Sequence, residues 1–320
     1  FNSPSEAIHV NLVGYLNDAS TKAVDLYIWM GRAGNANPSD PNLSRDYSTF
    51  VGKKVYIYNV DTTATQEVGT VALWRTSTTE AGGFNLTMSN VWKADFTGFN
   101  TPGTYRIAIE GVGCSENFEI KRYAYFEPHR LSTIGFFYMR IGEDSNYTGM
   151  PVPRRPLYIP YVSPTNTRVY ITTLSPIHPD WAAFSSSDPW DKKDEWLPYV
   201  KAGSPQNNNA YGGHSDAADW DRHLGHIINI YDMLLPYFLT DGRMNDDNLQ
   251  IADSGNGIPD LLDEVRNEVD FWLNLRDGAG YGHGLNNPNN SNVFYQAGIT
   301  PMAAWANAAN ASMLANCFML

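Results

Sequence analysis

Short runs of alternating apolar and polar residues fill the first third of the chain. Val24–Trp29 and Tyr105–Glu110 alternate with a period of two, which indicates half-buried antiparallel strands. Runs rich in β-branched and aromatic residues predict strands at Ile8–Leu16, Lys22–Trp29, Lys54–Asn59, Glu67–Leu73, Asn85–Thr87, Gly103–Glu110 and Ser115–Ile120. Such a series in about 120 residues fits a β-sandwich of the immunoglobulin type. We therefore predict an all-β immunoglobulin-like domain over residues 1–122.

The period changes at Tyr123, after which apolar residues recur at three- and four-residue steps. This pattern predicts helices over residues 123–140, 221–239, 259–276 and 300–320. The third is amphipathic, so we expect an outward-lying helix with one face on the core. The fourth is apolar on nearly every face and follows Thr300 as an N-cap, so we expect it to be buried all round. We predict an all-α domain over residues 123–320.

Residues 142–213 separate the first two predicted helices and are rich in Pro, Ser, Asn and Asp. Their composition predicts a long loop, and loops of this length are commonly functional. The segment is also rich in Tyr and Trp. Two interpretations remain open, because these rings can line a cleft or simply pack the loop down.

Composition narrows the classes of partner. The 22 Lys and Arg residues against 34 Asp and Glu residues give a formal net charge of −12, the wrong sign for binding nucleic acid or anionic membranes. No apolar run approaches the ~18–20 residues of a membrane span. Aromatic residues are 13% of the chain and charged residues only 18%, a balance that suits carbohydrate binding. Cys114 and Cys317 lie far apart, so we expect buried free thiols and no disulfide framework.

The densest cluster of reactive groups spans residues 211–223. Asp216 and Asp219 are three residues apart, so on a helical turn their carboxylates project from one side. Two such groups can hold a water, one orienting it and the other taking its proton. Three alternatives stay open: Asp216 as a helix N-cap, an ion-pair network with Arg222, and a metal site formed by His214, Asp216, Asp219 and His223.

A second polar segment spans residues 251–264. Its alternating Asp and Asn oxygens around tight glycines can gather a hard cation, with Asp253, Asn256 and Asp260 as ligands of a structural calcium. The segment departs from the EF-hand loop in length and lacks the closing Glu. A turn followed by a capped helix is the other interpretation.

Three blocks of sequence resemble glycoside hydrolase family 9. Residues 9–16 (His-Val-Asn-Leu-Val-Gly-Tyr-Leu) and 103–106 resemble the immunoglobulin-like domain that precedes its catalytic domain. Residues 212–220 (Gly-Gly-His-Ser-Asp-Ala-Ala-Asp-Trp) resemble its Gly-Gly-Trp-x-Asp-Ala-Gly-Asp-Tyr motif, and residues 254–264 match its Ser-Gly-Asn-Gly-Ile-Pro-Asp-x-Leu-Asp-Glu segment. The resemblance implies an (α/α)6 barrel and hydrolysis of a β-linked glucan with inversion, with no cofactor needed for the chemistry.

The resemblance also implies site roles. Asp219 would be the general base and Asp216 would position the attacking water, while Tyr211, His214, Trp220 and His223 would contact substrate. The general acid would be a Glu in the C-terminal part of the barrel, which has no counterpart here. We therefore expect the front part of a longer enzyme, inactive or nearly so alone, whose partner is the missing C-terminal part of the barrel.

The substrate class stays open within this resemblance. His214, Ala218 and Trp220 depart from the family motif near the presumed cleavage subsite. Cellulose-type β-1,4-glucan, mixed-linkage glucan and xyloglucan come first, and an exo-enzyme on glucosamine-type oligosaccharides is an alternative. A non-catalytic carbohydrate-binding or adhesion protein is the competing class. We expect a secreted, periplasmic or cell-surface location.

Overall fold

The computed structural model describes residues 1–32, 42–76, 88–140, 168–186, 193–210, 212–214, 227–286 and 293–320. They form two compact units, Phe1–His129 and Arg130–Leu320. Among the described residues, no helix has both the length and the apolar character needed to cross a membrane.

The N-terminal unit is built from β-strands. Its strands are β1 (Ile8–His9), β2 (Tyr15–Leu16), β3 (Ala23–Leu26), β4 (Trp29–Arg32), β5 (Asn42–Ser44), β6 (Lys54–Asn59), β7 (Thr65–Thr70), β8 (Ala72–Arg75), β9 (Val91–Asp95), β10 (Gly103–Ile109), β11 (Gly113–Cys114) and β12 (Phe118–Lys121). One sheet has the strand order β1-β3-β9-β8, and a second has the order β2-β12-β10-β6-β7 with β11 beside β10. Strands β4 and β5 form a separate antiparallel pair.

The two larger sheets share one hydrophobic core. Val24 and Leu26 of β3 alternate with half-buried residues and meet Val55 and Ile57 of β6, with Ile107 of β10, in one cluster of buried side chains. This alternation is the one that the sequence predicts for β3 and β10. The β-rich character of the N-terminal region is confirmed.

Several strand predictions needed correction. The run Ile8–Leu16 is not one strand, because β1 pairs with β3 in one sheet and β2 pairs with β12 in the other. The strand predicted at Lys22–Trp29 ends at Leu26, and Trp29 begins β4. The run Glu67–Leu73 is not one strand, because β7 pairs with β6 in one sheet and β8 pairs with β9 in the other. The chain changes sheets at buried Val71, whose N–H and C=O pair with the loop residues Lys53 and Gly52. Strand β9 was not predicted, whereas the predicted strand at Asn85–Thr87 lies outside the described residues.

Helices dominate the C-terminal unit, together with a few short strands. Its elements are α1 (Phe126–Tyr138), which begins in the N-terminal unit, then β13 (Arg168–Ile171), α2 (Trp181–Ser186), α3 (Lys193–Trp196), α4 (Ile228–Leu239), α5 (Asp260–Asn274), β14 (Arg276–Asp277), β15 (Gly280–Tyr281), β16 (Leu285–Asn286), β17 (Val293–Gln296) and α6 (Pro301–Cys317). Helices α4, α5 and α6 pack against one another. Their contact buries Leu234, Val265, Trp272 and Leu314 in one core.

The described part of residues 142–213 is not simply loop. It contains β13, which pairs in parallel with β17, more than 120 residues further along the chain. It also contains the short helices α2 and α3. Residues 169–173 (Val-Tyr-Ile-Thr-Thr) do carry the β-branched and aromatic signal of a strand, which the prediction of a long loop left out. Only the pairing with β17, which is distant in sequence, has no local signal.

Helices α5 and α6 differ from expectation in how much they bury. Helix α5 is not outward-lying, because Asp260, Asp263, Glu264 and Glu268 of its acidic face are buried along with its apolar stripe. Helix α6 is not buried all round, since Trp305 is 75% exposed. The residues that α6 buries recur at helical spacing on one face and are Ala303, Asn307, Leu314 and Cys317.

Candidate active site

The structure describes only part of the predicted site. His214, Asp253, Asn256 and Asp260 are among its described residues, whereas Tyr211, Asp216, Asp219, Trp220 and His223 lie outside them. The roles of the second group therefore stay predictions. The described geometry concerns the chain immediately before Asp216 and the elements that hold it.

Two consecutive glycines lead the chain to His214. Gly212 and Gly213 have φ angles of +89° and +77°, a backbone conformation that residues with a Cβ rarely adopt. His214 then forms an isolated antiparallel bridge with Arg140, just after the end of α1. The His214 side chain is only 3% exposed, so this turn carries the imidazole into the interior of the unit.

Helix α5 presents two glutamates to the His214 ring. Glu264 and Glu268 are four residues apart, so they lie on one face of the helix. The His214 Nε2 atom lies 2.5 Å from Oε1 of Glu264, and Nδ1 lies 2.7 Å from Oε2 of Glu268. Trp272, one turn further, donates its indole N–H to Oε1 of Glu268 at 2.7 Å. Both ring nitrogens therefore face a carboxylate.

Arg140 extends this group of charges in the other direction. Its Nε donates to Oε2 of Glu264 at 2.9 Å, and its Nη1 donates to Oδ2 of Asp253 at 2.8 Å. The Arg140 side chain is 5% exposed and that of Glu264 is fully buried. We call His214, Glu264, Glu268, Arg140 and Asp253 the buried ion network. Asp253 is 29% exposed and the other four side chains are buried. Buried charges persist only when they are paired, and removing one partner leaves an uncompensated charge.

The network keeps His214 protonated. Burial alone would lower the pKa of the His214 imidazole, but the carboxylates of Glu268 and Glu264 raise it to about 10. As an imidazolium, His214 carries a proton on both ring nitrogens, each of which faces a carboxylate oxygen, whereas a neutral imidazole carries only one. The side chain therefore acts here as a buried cation.

Sequence reasoning did not nominate Glu264, Glu268 or Arg140 as site residues. One signal was present, because Glu264, Glu268 and Trp272 follow each other at four-residue steps on a predicted helix. The partner of these acids was not predictable, since His214 is 50 residues before Glu264. Sequence reasoning placed His214 beside the substrate, and the structure places its side chain between two carboxylates.

The predicted calcium ligands have protein partners. Oδ2 of Asp260 accepts from the Leu249 N–H at 2.7 Å and from the Ser254 hydroxyl at 2.8 Å. Asn256 donates to Asp263 at 2.9 Å, and Asp253 pairs with Arg140. Among the described residues, no group of three or more His, Cys, Asp or Glu side chains could hold a metal. These oxygens close a turn through protein contacts, and we derive no step from a metal there.

The turn itself is held by a second carboxylate. Oδ1 and Oδ2 of Asp247 accept from the N–H groups of Gly255 and Gly257 at 2.7 and 2.8 Å. Both glycines have positive φ. The turn of that interpretation is thus present, whereas its side-chain helix cap is not, because the N-cap residue of α5 is Pro259 and makes no side-chain cap hydrogen bond.

Aromatic residues of the predicted loop pack against one another. Phe184 and Trp196 are buried, and the Trp196 ring stacks on Tyr295 of β17 with centroids 5.7 Å apart. Tyr199 contacts Phe184 edge to face at 5.7 Å. For these residues the packing interpretation describes the structure. Tyr158, Tyr161 and Trp190 lie outside the described residues.

The cysteines are as expected. Cys114 and Cys317 are both buried free thiols.

Comparison with known proteins gives relatives of one kind. No family model matches the chain. Endoglucanase D of Acetivibrio thermocellus is 27% identical over 218 residues, which cover 67% of this chain and 29% of that protein. The xyloglucan-specific endo-beta-1,4-glucanase BoGH9A of Bacteroides ovatus is 23% identical over 317 residues, covering 93% of this chain and 41% of that protein.

Solved structures of glycoside hydrolase family 9 enzymes share the fold of this chain. A metagenome-derived glycoside hydrolase family 9 endoglucanase aligns with a TM-score of 0.66 and 21% identity, over 98% of this chain and 50% of that one. The Bacteroides ovatus family 9 structure aligns with a TM-score of 0.65 and 19% identity, over 98% of this chain and 49% of that one. The chain thus spans about half the length of these structures. The expected resemblance to glycoside hydrolase family 9 is confirmed.

Proposed function

We propose that the protein containing this chain is a glycoside hydrolase of family 9 that cleaves β-1,4-linked glucan internally, with inversion. The observation that carries the proposal is the similarity to family 9 endoglucanases over nearly the whole chain in fold. The motif at residues 212–220 adds the two aspartates that such chemistry needs. Asp219 is the general base, and Asp216 positions the attacking water.

The reaction needs a third carboxyl group. An inverting glycosidase holds water between a base and an acid about 6.5–9.5 Å apart, and the acid protonates the departing glycosidic oxygen. Asp216 and Asp219 are only three residues apart, and on one helical turn they would project from the same side, so we do not assign both roles to this pair. We assign the acid to a Glu outside these 320 residues, in the C-terminal part of the barrel.

Two features support the proposal that further helices of the barrel lie outside these 320 residues. The aligned structures are about twice as long as this chain. On α6, Met302 and Trp305 are 59% and 75% exposed, an apolar face that further helices of a barrel would cover.

We also assign the N-terminal unit to the immunoglobulin-like type, because its two sheets share one core.

The substrate we propose is a neutral β-1,4-glucan of the cellulose, mixed-linkage or xyloglucan type. Its neutral charge suits a chain with a formal net charge of −12, since a polyanion would be repelled. We propose a secreted, periplasmic or cell-surface location, where such polymers are met. Glucosamine-type oligosaccharides are the alternative substrate, and they should be assayed beside these glucans.

The test is Asp219→Asn in the full-length protein. Losing the base should lower kcat by about 10²–10⁴-fold, measured as reducing ends released from β-1,4-glucan, with glucan binding retained. Asp232→Asn is the matched control, because Asp232 is an exposed aspartate on α4 and its loss should leave turnover unchanged. The anomer formed first, followed by NMR, should be α, as inversion of a β linkage requires.

Two outcomes would contradict the proposal. Unchanged turnover in the Asp219→Asn protein would show that another group is the base. Glucan binding by the wild-type protein without any hydrolysis would instead favour the carbohydrate-binding class.

A further inference from the structure

The buried ion network joins four separate segments of the C-terminal unit. Glu264 and Glu268 belong to α5, Arg140 follows α1, Asp253 lies in the turn before α5, and His214 follows the Gly212-Gly213 turn. His214 has contacts to carboxylates through both ring nitrogens and a backbone bridge to Arg140. Its position is therefore set by α5 on one side and by the segment that follows α1 on the other.

Further contacts hold the same short segment in place. The Phe136 ring of α1 lies 5.4 Å from the His214 ring, centroid to centroid. The side-chain amide of Asn267 donates to the Gly213 carbonyl at 3.5 Å. A Cβ on Gly212 would contact the Asn267 side chain and Phe271, so the backbone itself runs close along α5. Residues 212–214 are thus packed against one face of α5.

The fixed position of His214 limits the positions of Asp216 and Asp219, because they follow it closely in the chain. A fully extended residue spans about 3.3–3.6 Å, so the Cα atom of Asp216 lies within about 7 Å of that of His214, and the Cα atom of Asp219 within about 18 Å. Fixing His214 therefore restricts where both carboxylates can lie. Catalytic rate depends on where these carboxylates lie, because a misplacement of about 1 Å can cost about 10²-fold, so loosening this anchor should lower kcat.

We propose that His214, clamped between Glu264 and Glu268, is a positioning residue for the Asp216 and Asp219 carboxylates and does not contact substrate. The proposal rests on the proposed function, in which these aspartates hold and deprotonate the attacking water. The buried imidazolium ties the start of their segment to α5. Of the acidic face of α5, which local pattern would assign to solvent, Glu264 and Glu268 hold this cation.

The kinetic test uses the full-length enzyme. In His214→Gln the side chain cannot face both carboxylates as a cation, so kcat should fall about 100-fold while KM changes less than about threefold. Glu268→Gln keeps the shape of the side chain and removes one charge, so its kcat should fall in the same direction. Because His214 and Glu268 act as one unit, kcat of the double variant should fall no further than kcat of His214→Gln alone.

The matched control is Gln296→Leu. Gln296 is fully buried in the same unit and bonds Asn207 and the Leu275 carbonyl, outside the network. Its loss should lower the unfolding temperature and leave kcat unchanged. If His214→Gln and Glu268→Gln lower the unfolding temperature as this control does and leave kcat unchanged, His214 is only structural and the proposal is overturned.

A second readout separates this proposal from the proposed function. Amide hydrogen exchange over residues 212–223 should be faster in His214→Gln than in the wild type, and unchanged in Gln296→Leu. Faster exchange in an enzyme that hydrolyses no glucan would support the tie to α5 and overturn the proposed function. Unchanged exchange, with glucan hydrolysis intact in both proteins, would overturn the positioning role alone.

Discussion

His214 is a buried cation between two carboxylates, and this environment links its protonation to stability. The residues facing its ring are Glu264 and Glu268 of α5 and Phe136 of α1, with Arg140 next to Glu264. The carboxylates hold the pKa of His214 at about 10, above the ordinary value of 6.5. A raised pKa in the folded state stabilises the protein below the unfolded value, and this contribution is lost as the pH rises through the folded value.

We predict a matching change of stability with pH. The contribution of His214 to the free energy of unfolding of the C-terminal unit should be fully present at about pH 6. It should then decline toward pH 10, by at most about 1.4 kcal/mol per pH unit. Urea unfolding of the wild type and of His214→Gln over this range measures the effect. The variant should lack this decline, so two parallel pH profiles would contradict the assignment of the cation to His214.

The helices show how far local sequence specifies an element. The Thr300 hydroxyl oxygen accepts from the Ala303 N–H at 3.1 Å, so the predicted N-cap of α6 is present. Pro236 lies inside α4, which continues to Leu239, and the Thr240 hydroxyl donates to the Pro236 carbonyl at 2.7 Å. The acidic face of α5 shows the limit, since polarity alone does not say whether a charge meets water or a buried partner.

The cap of α6 gives a prediction at this scale. Thr300→Ala removes the acceptor for the Ala303 N–H, and also the contact between Thr300 Oγ1 and His283 Nδ1 at 3.0 Å. The free energy of unfolding should fall by about 1 kcal/mol, as measured by urea denaturation. Thr300→Ser keeps the hydroxyl and should lose less. Equal losses in both variants would show that the cap contributes nothing.

Over the whole molecule, each unit has a hydrophobic core of its own. The N-terminal core draws on both sheets and the C-terminal core on α4, α5 and α6. The alternating pattern of β3 and β10 already identifies part of the first core. The second depends on contacts between helices and on the pairing of β13 with β17, which are far apart along the chain.

The N-terminal core can be tested at Ile107, which is fully buried in β10. Ile107→Ala should lower the free energy of unfolding of this unit by about 2–5 kcal/mol, and Ile107→Val by about 0.5–1.5 kcal/mol. Amide exchange of the β6 and β10 backbone groups measures both losses. A loss in Ile107→Ala no larger than that in Ile107→Val would show that the two sheets do not close on this side chain.

The amino-acid sequence by itself determined the local part of this protein. Period-two alternation, helical spacing, the Thr300 cap and the motif order of residues 9–16, 212–220 and 254–264 are readable because each depends on neighbours along the chain. They were enough to predict a β-rich unit, a helical unit and the resemblance to family 9 glycoside hydrolases. They were also enough to nominate Asp216 and Asp219, whose roles stay predictions.

Tertiary structure alone decided which charges are buried and what they meet. His214 finds Glu264 and Glu268 across 50 and 54 residues, and Arg140 reaches Glu264 across 124. The same holds for β7 and β8, which part at Val71 into different sheets. The physical reason is common to these cases: burial and pairing are set by contacts between distant segments, and a local pattern carries no information about which distant segment arrives.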